Sequence, residues 1–286
     1  MNESGHSFTE ASVEAPGMGA TTQRRGTAQR RSERAERILD AATELVLRWG
    51  YDKTTIDDVA RLAGVAKGTI YLHWGSREDL FAALMRWDRA QMIGAVRRRL
   101  QQDPETATLP GLFGLLAHEL HRHPLLQAAM VQDSAVLGKL VARKQTSTTT
   151  PEMVAPFGEY LATLREHGLV REDLSLEDHL TLVAAVLHGS LVSLRMMPDS
   201  LRVSDERAGE LIGDALARAF AADHPPSDAA RAVCADATRA FVDQAYAVAR
   251  ARLRESLGDD LPQDDDLPQA DLPPEGDPTP AEGDPS

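Results

Sequence analysis

The chain has 286 residues, of which 42% are hydrophobic, 5% aromatic, 44 acidic and 31 Lys or Arg, with a single cysteine. One cysteine excludes a disulfide scaffold and a zinc ribbon, and Cys234 alone fits a reducing cytoplasm. The longest charge-free run inside a predicted helix, 180–194, falls short of the roughly 18 residues a membrane span requires, and 1–20 is polar and slightly acidic, so a soluble, unsecreted protein is expected.

The formal charge of −13 conceals a segregation: 1–20 carry −3, 21–100 carry +6, 101–254 carry −5 and 255–286 carry −11. The C-terminal segment holds seven of the sixteen prolines and no Lys or Arg. Such a composition cannot bury enough apolar surface to order itself, so an acidic, disordered tail is expected over 257–286. The positive charge lies near the N-terminus, where an electrostatic footprint for an anionic partner belongs.

Residues 1–31 lack an apolar period and end in Arg24, Arg25, Arg30 and Arg31, which predicts a mobile basic-ended arm. From Ser32, Ala35, Ile38, Leu39, Ala42, Leu45, Val46 and Trp49 recur at spacings of three and four, and Gly50 follows as a C-cap. Thr55 and Asp58 form a capping-box variant that starts a second helix, stopped by Gly64. A short helix over about 66–73 follows, and Ser76 with Asp79 caps a fourth that runs to about Leu100.

Every later periodic segment also reads as helix, and none shows sustained period-two alternation, so an all-α chain is predicted. Leu109 to Leu120 mark one helix, and Pro124 opens another through Leu125, Met130, Leu137 and Val141. A Ser/Thr loop at 146–150 precedes helices over about 151–167, 176–197 and 204–220, and Ser227 caps a last one.

Two short helices joined by a tight Gly-containing turn and packed on a preceding amphipathic helix make a helix-turn-helix, whose second helix enters the DNA major groove. Residues 54–80, TTIDDVARLAGVAKGTIYLHWGSREDL, closely resemble the DNA-binding domain of the TetR family of bacterial repressors. The resemblance covers about 33–81 in sequence and the remainder in helical pattern only. It rests on the Thr-Thr cap, the Ala-x-x-Ala-Gly-Val turn and Lys-Gly-Thr-Ile-Tyr. Ala66 stands where the family usually has a Ser N-cap, which forfeits about 0.5 to 2 kcal/mol of capping, and Trp74 stands where Phe is usual. The expected domains are therefore an arm over 1–31, a DNA-binding domain over 32–81, a helical effector and dimerisation domain over 82–256 and the tail.

Gly68 and Thr69 place little bulk at the start of the recognition helix, so Lys67 can approach a phosphate. Thr69 and Tyr71 are candidates for base edges or phosphates, His73, Thr55 and Arg77 for the backbone of the duplex. Ile56, Val59, Ala63, Val65, Ile70 and Trp74 are expected to be core.

The segment 176–197 is apolar on more than one side, with Leu180, Val183, Leu187, Leu191 and Leu194 on one stripe. The family resemblance implies that this helix and the next, with Leu211 and Ala215, form a four-helix seam with a second protomer. A palindromic operator also demands two recognition helices about 34 to 36 Å apart or a multiple, so a homodimer is expected. The resemblance further implies an effector cavity in the C-terminal domain, for which Trp87, Phe113, His118, Met130, Phe157, Tyr160, His188 and Met196 are candidate linings, mostly apolar and so suited to a hydrophobic effector.

His118, His121 and His123 offer a metal or metallohydrolase alternative, but no carboxylate pair or Cys completes the ligand set. No Gly-rich phosphate loop or nucleophile elbow is present, so neither an enzyme nor a cofactor is expected. A purely architectural DNA-binding protein would not require the long second half.

Overall fold

The computed structural model describes residues 18–143 and 151–257, with side-chain surroundings described for 29–140 and 152–257. The expected Ser/Thr loop at 146–150 and the acidic tail beyond Leu257 lie outside the described residues. Among the described residues eleven α-helices succeed one another: α1 Met18–Trp49, α2 Ile56–Leu62, α3 Lys67–His73, α4 Arg77–Gln102, α5 Leu109–His121, α6 Pro124–Met130, α7 Ser134–Leu137, α8 Pro151–Glu166, α9 Leu176–Met196, α10 Asp205–Phe220 and α11 Asp228–Leu257. The only extended pairing among them is an isolated antiparallel bridge between Val170 and Ala221.

The helices begin where short polar side chains can satisfy free N–H groups. Thr55 accepts from the Asp58 amide at 3.2 Å, Ser76 from Asp79 at 3.1 Å and Thr108 from Gly111 at 3.1 Å. Ser175 and Asp178 complete a reciprocal capping box, and Ser204 and Ser227 cap the last two helices. Ala66 heads α3 without any side-chain cap, as its methyl group requires.

Two expected boundaries need correction. The arm expected over 1–31 is helical from Met18 onward. Gln23, Arg24, Arg25, Ala28, Gln29, Arg30 and Arg31 are strong helix formers, and once the amphipathic segment is nucleated each further residue adds a hydrogen bond at little cost. The single helix expected from Pro124 to Val141 is instead broken into α6, α7 and a 3-10 turn over Gly138–Arg143. Gln132 takes a positive φ of 51°, and Asp133 restarts the chain by accepting from the amides of Ala135 and Val136.

The largest core cluster joins Ile38, Leu45, Ile56, Ile70 and Trp74 of the first three helices to Trp87 of α4, Leu125 of α6, Leu137 of α7 and Leu253 of α11. The boundary expected at residue 81 is therefore crossed by continuous packing, and α4 carries that packing into the second half. The turn after α1 is part of the same junction. A Cβ at Gly50, whose φ is +80°, would lie 2.4 Å from the Ala135 carbonyl oxygen. A Cβ at Gly138 would lie 2.5 Å from the Asp52 carboxylate.

A second cluster joins α5, α8, α10 and α11 through Phe113, Leu164, Leu216, Phe220 and Val242. Here α5 and α10 meet backbone to backbone. A Cβ on Gly213 would come within 2.3 Å of the Pro110 oxygen, and one on Gly209 within 2.8 Å of the Gly114 oxygen. Glycine is thus what lets these two helices close on each other.

By length and composition α9 passes the test for a membrane-crossing helix, with a mean hydropathy of 1.3 over 18 residues, although its charge-free stretch alone is too short. Its Leu191 packs against Leu120 and Leu126, and Leu180, Val183 and Leu187 pack on the second cluster. On its other side Thr181, Ala185, His188, Val192 and Met196 are exposed within the protomer.

Candidate nucleic-acid interface

The first three helices hold α3 on the surface by burying one side of it. Val59 and Ile70 are fully inside, Ile56 and Trp74 are buried, and Ala63 and Val65 pack against the same core, as the apolar spacing predicts. The α2–α3 turn is closed by Gly64 at φ +66° and by the Val65 amide, which donates to the Ala60 oxygen at 3.0 Å. That turn sets α3 across α2 with Lys67, Gly68 and Tyr71 exposed and Thr69 half-buried.

The polar groups around α3 are already organised. Lys67 Nζ donates to Asp57 Oδ2 at 2.8 Å, and this bond raises the lysine pKa above its ordinary value. Thr55 Oγ1 donates to Asp58 Oδ2 at 2.6 Å, which with the neighbouring Arg61 holds the Asp58 carboxyl below the usual carboxylate range. Thr55 therefore spends its hydroxyl on the cap while remaining exposed. His73 is half-buried, its ring centroid 5.2 Å from that of Trp74.

Arg77 departs from the expected duplex contact. Its guanidinium lies 4.0 Å from the Tyr51 ring centroid and donates to the Tyr51 carbonyl oxygen. Tyr51 in turn meets Phe81 edge to face at 4.5 Å. A planar cation stacked on an aromatic face and bonded to backbone is a structural clamp on the turn between α1 and α2.

Residues 38–84 match the model of the bacterial regulatory proteins of the tetR family. That segment, the three-helix head with the start of α4, is therefore similar to the N-terminal domain of the tetR family. Among its relatives, the HTH-type transcriptional repressor AcnR of Corynebacterium glutamicum is 24% identical over 167 residues, 56% of this chain and 80% of the repressor. The HTH-type transcriptional regulator YhgD of Bacillus subtilis is 49% identical over 122 residues, 39% of this chain and 59% of that protein. The HTH-type transcriptional activator FasR of Mycolicibacterium smegmatis is 28% identical over 108 residues, 36% of this chain; the chain spans only about half of the activator's length. The α2–α3 pair lies inside the matched segment.

The residues expected to line an effector cavity do not gather around one space. Trp87 belongs to the first core cluster, where its indole donates to Asp40 on α1. Phe113 meets Phe220 edge to face at 5.2 Å inside the second cluster. Met130 packs near Leu191, and exposed His188 reaches back to the Met130 oxygen at 3.1 Å. Met196 is 79% exposed and lines no closed cavity. Helical spacing of Met and aromatic residues reads the same whether they fill a core or face a ligand, which is why sequence alone grouped them.

Two of these positions do border clefts. Tyr160, with Pro156, Val233, Ala237 and Phe241, lines a cleft of about 400 Å³ between α8 and α11. Tyr160 stacks on Phe241 at 5.1 Å, and burial pushes its hydroxyl pKa up even though the hydroxyl lies 3.2 Å from Thr238 Oγ1. His118 borders a more polar cleft of about 550 Å³ with Arg99, Gln102, Glu206 and Glu210.

The other two histidines of the 118–123 group face apart. His121 Nδ1 donates to the Ala117 oxygen at 2.7 Å, while His123 Nδ1 lies 2.6 Å from Asp88 Oδ1 and ties α6 to α4. Among the described residues no three His, Cys, Asp or Glu side chains converge to hold a metal ion.

The expected dimer stripe also needs correction. Leu191 is only 1% exposed in the single protomer, and Leu180, Val183 and Leu187 face the same protomer's core, with Leu194 half-buried. The exposed stripe of α9 is instead Thr181, Ala185, His188, Val192 and Met196. Beside it Leu211 and Ala215 of α10 are exposed, as the amphipathic pattern of that helix predicts. The leucine-rich stripe is claimed by the protomer's own α5, α6 and second core cluster, leaving the mixed stripe with Val192 and Met196 outside.

Proposed function

We propose that the protein is a DNA-binding transcriptional regulator that reads an inverted-repeat operator as a homodimer and represses until a small hydrophobic effector releases it. The observation that carries the reading is α3: a short helix anchored by Ile70 and Trp74, with Lys67, Gly68 and Tyr71 turned to solvent in a segment of positive charge. This arrangement suits a helix inserted in the major groove, with Lys67 positioning on phosphate and Thr69 and Tyr71 meeting base edges or phosphates. Thr55 at the head of α2 and His73 at the end of α3 flank it and suit phosphate contacts.

Homodimer formation is supported by the outer stripe of α9 and by Leu211, which is 47% exposed. Val192 and Met196 exposed on α9 near Leu211 call for burial against another protomer, and a two-fold pairing would present two α3 helices to two half-sites. The open cleft at Tyr160 and Phe241, rimmed by Glu159, Thr163, Asp236 and Gln244, supports an effector with an apolar body and a polar edge. Continuous packing from the three-helix head through α4, α6 and α11 supports transmission, since a change in the second half must move the head with it.

The test is selection of bound duplexes from a random-sequence pool with the full-length chain. An enriched inverted repeat is expected, with half-sites about one helical turn apart or a multiple. Recovery of no preferred sequence would overturn the reading.

A further inference from the structure

The centre of the exposed side of α3 is fixed by its buried side. Ile70 is 1% exposed and points into the three-helix core. At about 100° per residue, positions two before and two after it lie nearly opposite, so Gly68 and Leu72 share the outermost line of the helix. Thr69 and Tyr71 flank that line.

Two observations mark this line as a reading surface. Leu72 is 77% exposed, against 47% for Tyr71 and 46% for Leu62 in the same domain. A Cβ at Gly68 would meet nothing within 4 Å, so one turn before Leu72 the surface is open to close approach. The leucine buries little within the protomer and has no polar atom in its side chain. Placed in a major groove, it can distinguish bases only by apolar contact, and the apolar group that a base edge offers there is the thymine 5-methyl. The polar neighbours complement it, since Lys67 supplies the positive charge that a phosphate backbone requires.

We propose that Leu72 is a specificity-determining residue that recognises thymine in each operator half-site through its 5-methyl group. The proposal rests on the reading of α3 as a recognition helix.

The experiment uses the full-length chain and a duplex selected from a random pool, with half-site thymines replaced one at a time by deoxyuridine. That exchange deletes the methyl group and keeps the base's hydrogen-bonding groups. At one position per half-site the unmodified protein is expected to lose about fourfold in affinity, the value of one buried methyl group. Leu72→Ala, a surface change to a strong helix former, is expected to bind the thymine and deoxyuridine duplexes equally, with helicity and affinity for random duplex unchanged. The assignment is overturned if the selected half-site contains no thymine, if the unmodified protein ignores every deoxyuridine, or if Leu72→Ala keeps the sensitivity. Failure to enrich any sequence would instead overturn the operator-binding reading, and the assignment with it.

Discussion

Lys67 at the first turn of α3 is joined to Asp57 at the first turn of α2, with Nζ 2.8 Å from Oδ2. Both side chains are exposed, so solvent screens the pair and an incoming phosphate can displace the carboxylate. Asp57 thus restrains the lysine in the free protein, and on the proposed reading it would compete with DNA for it. Asp57→Asn is expected to tighten binding to random duplex by roughly two- to fivefold at low salt, with the gain fading as salt screens it. Fluorescence anisotropy across a salt series checks this. Weaker binding by the variant would show that Asp57 positions Lys67 for contact.

Lys67→Ala and Tyr71→Ala separate positioning from reading. Loss of the lysine is expected to weaken all duplexes alike and to reduce the magnitude of the salt slope by about one. Loss of the tyrosine ring is expected to cost roughly tenfold or more on the selected sequence, within the range for a base-edge contact, with little change on random DNA. Circular dichroism should report equal helicity for both. Equal operator affinity for Tyr71→Ala would remove that residue from the reading surface.

Leu191 and Val192 are neighbours in sequence with opposite surroundings, 1% and 37% exposed. Val192→Glu together with Leu211→Glu is expected to give folded monomers with lost operator affinity, because each would bury an unpaired charge at the proposed seam. Leu191→Ala is expected to lower folding stability by about 2 to 5 kcal/mol and leave a dimer. Light scattering and thermal melts separate the two results. A dimer in the double Glu variant would place the seam elsewhere.

The α5–α10 crossing depends on Gly213, where an added methyl group meets backbone of both Pro110 and Gly114. Backbone cannot rotate out of the way as a side chain can, so Gly213→Ala is expected to cost about 1 to 3 kcal/mol. Gly189 of α9, where a Cβ meets nothing within 4 Å, provides the control. A Gly213→Ala protein as stable as the control would show that the two helices separate freely.

The three-helix head was legible because its signals are local: Thr55, Gly64 and Ser76 cap or stop helices, and Ile56, Val59 and Ile70 mark one face. Trp74 and Tyr71 also fell on the expected sides, buried and exposed. Leu72 is absent from the expected contacts, although a core Ile70 already places position 72 on the far side of a helix; its 77% exposure bears this out. Arg77 was read as a DNA contact since a cation beside a recognition helix is ordinarily solvated, yet the Tyr51 ring 26 positions earlier captures it. The break at Gln132 and Asp133 was missed because the apolar period runs on through Leu137, although Asp133 carries a capping signal of its own. Non-local partners decided the effector candidates and the inner side of α9, and no spacing rule contains them.

The most direct measurement is the ratio of affinities of the full-length chain for its selected inverted-repeat duplex and for a scrambled duplex of the same length and composition, at physiological salt. A sequence-reading regulator is expected to prefer the selected duplex by about 10³-fold or more. Equal affinity for the two would contradict operator recognition and leave a protein that binds DNA by charge alone.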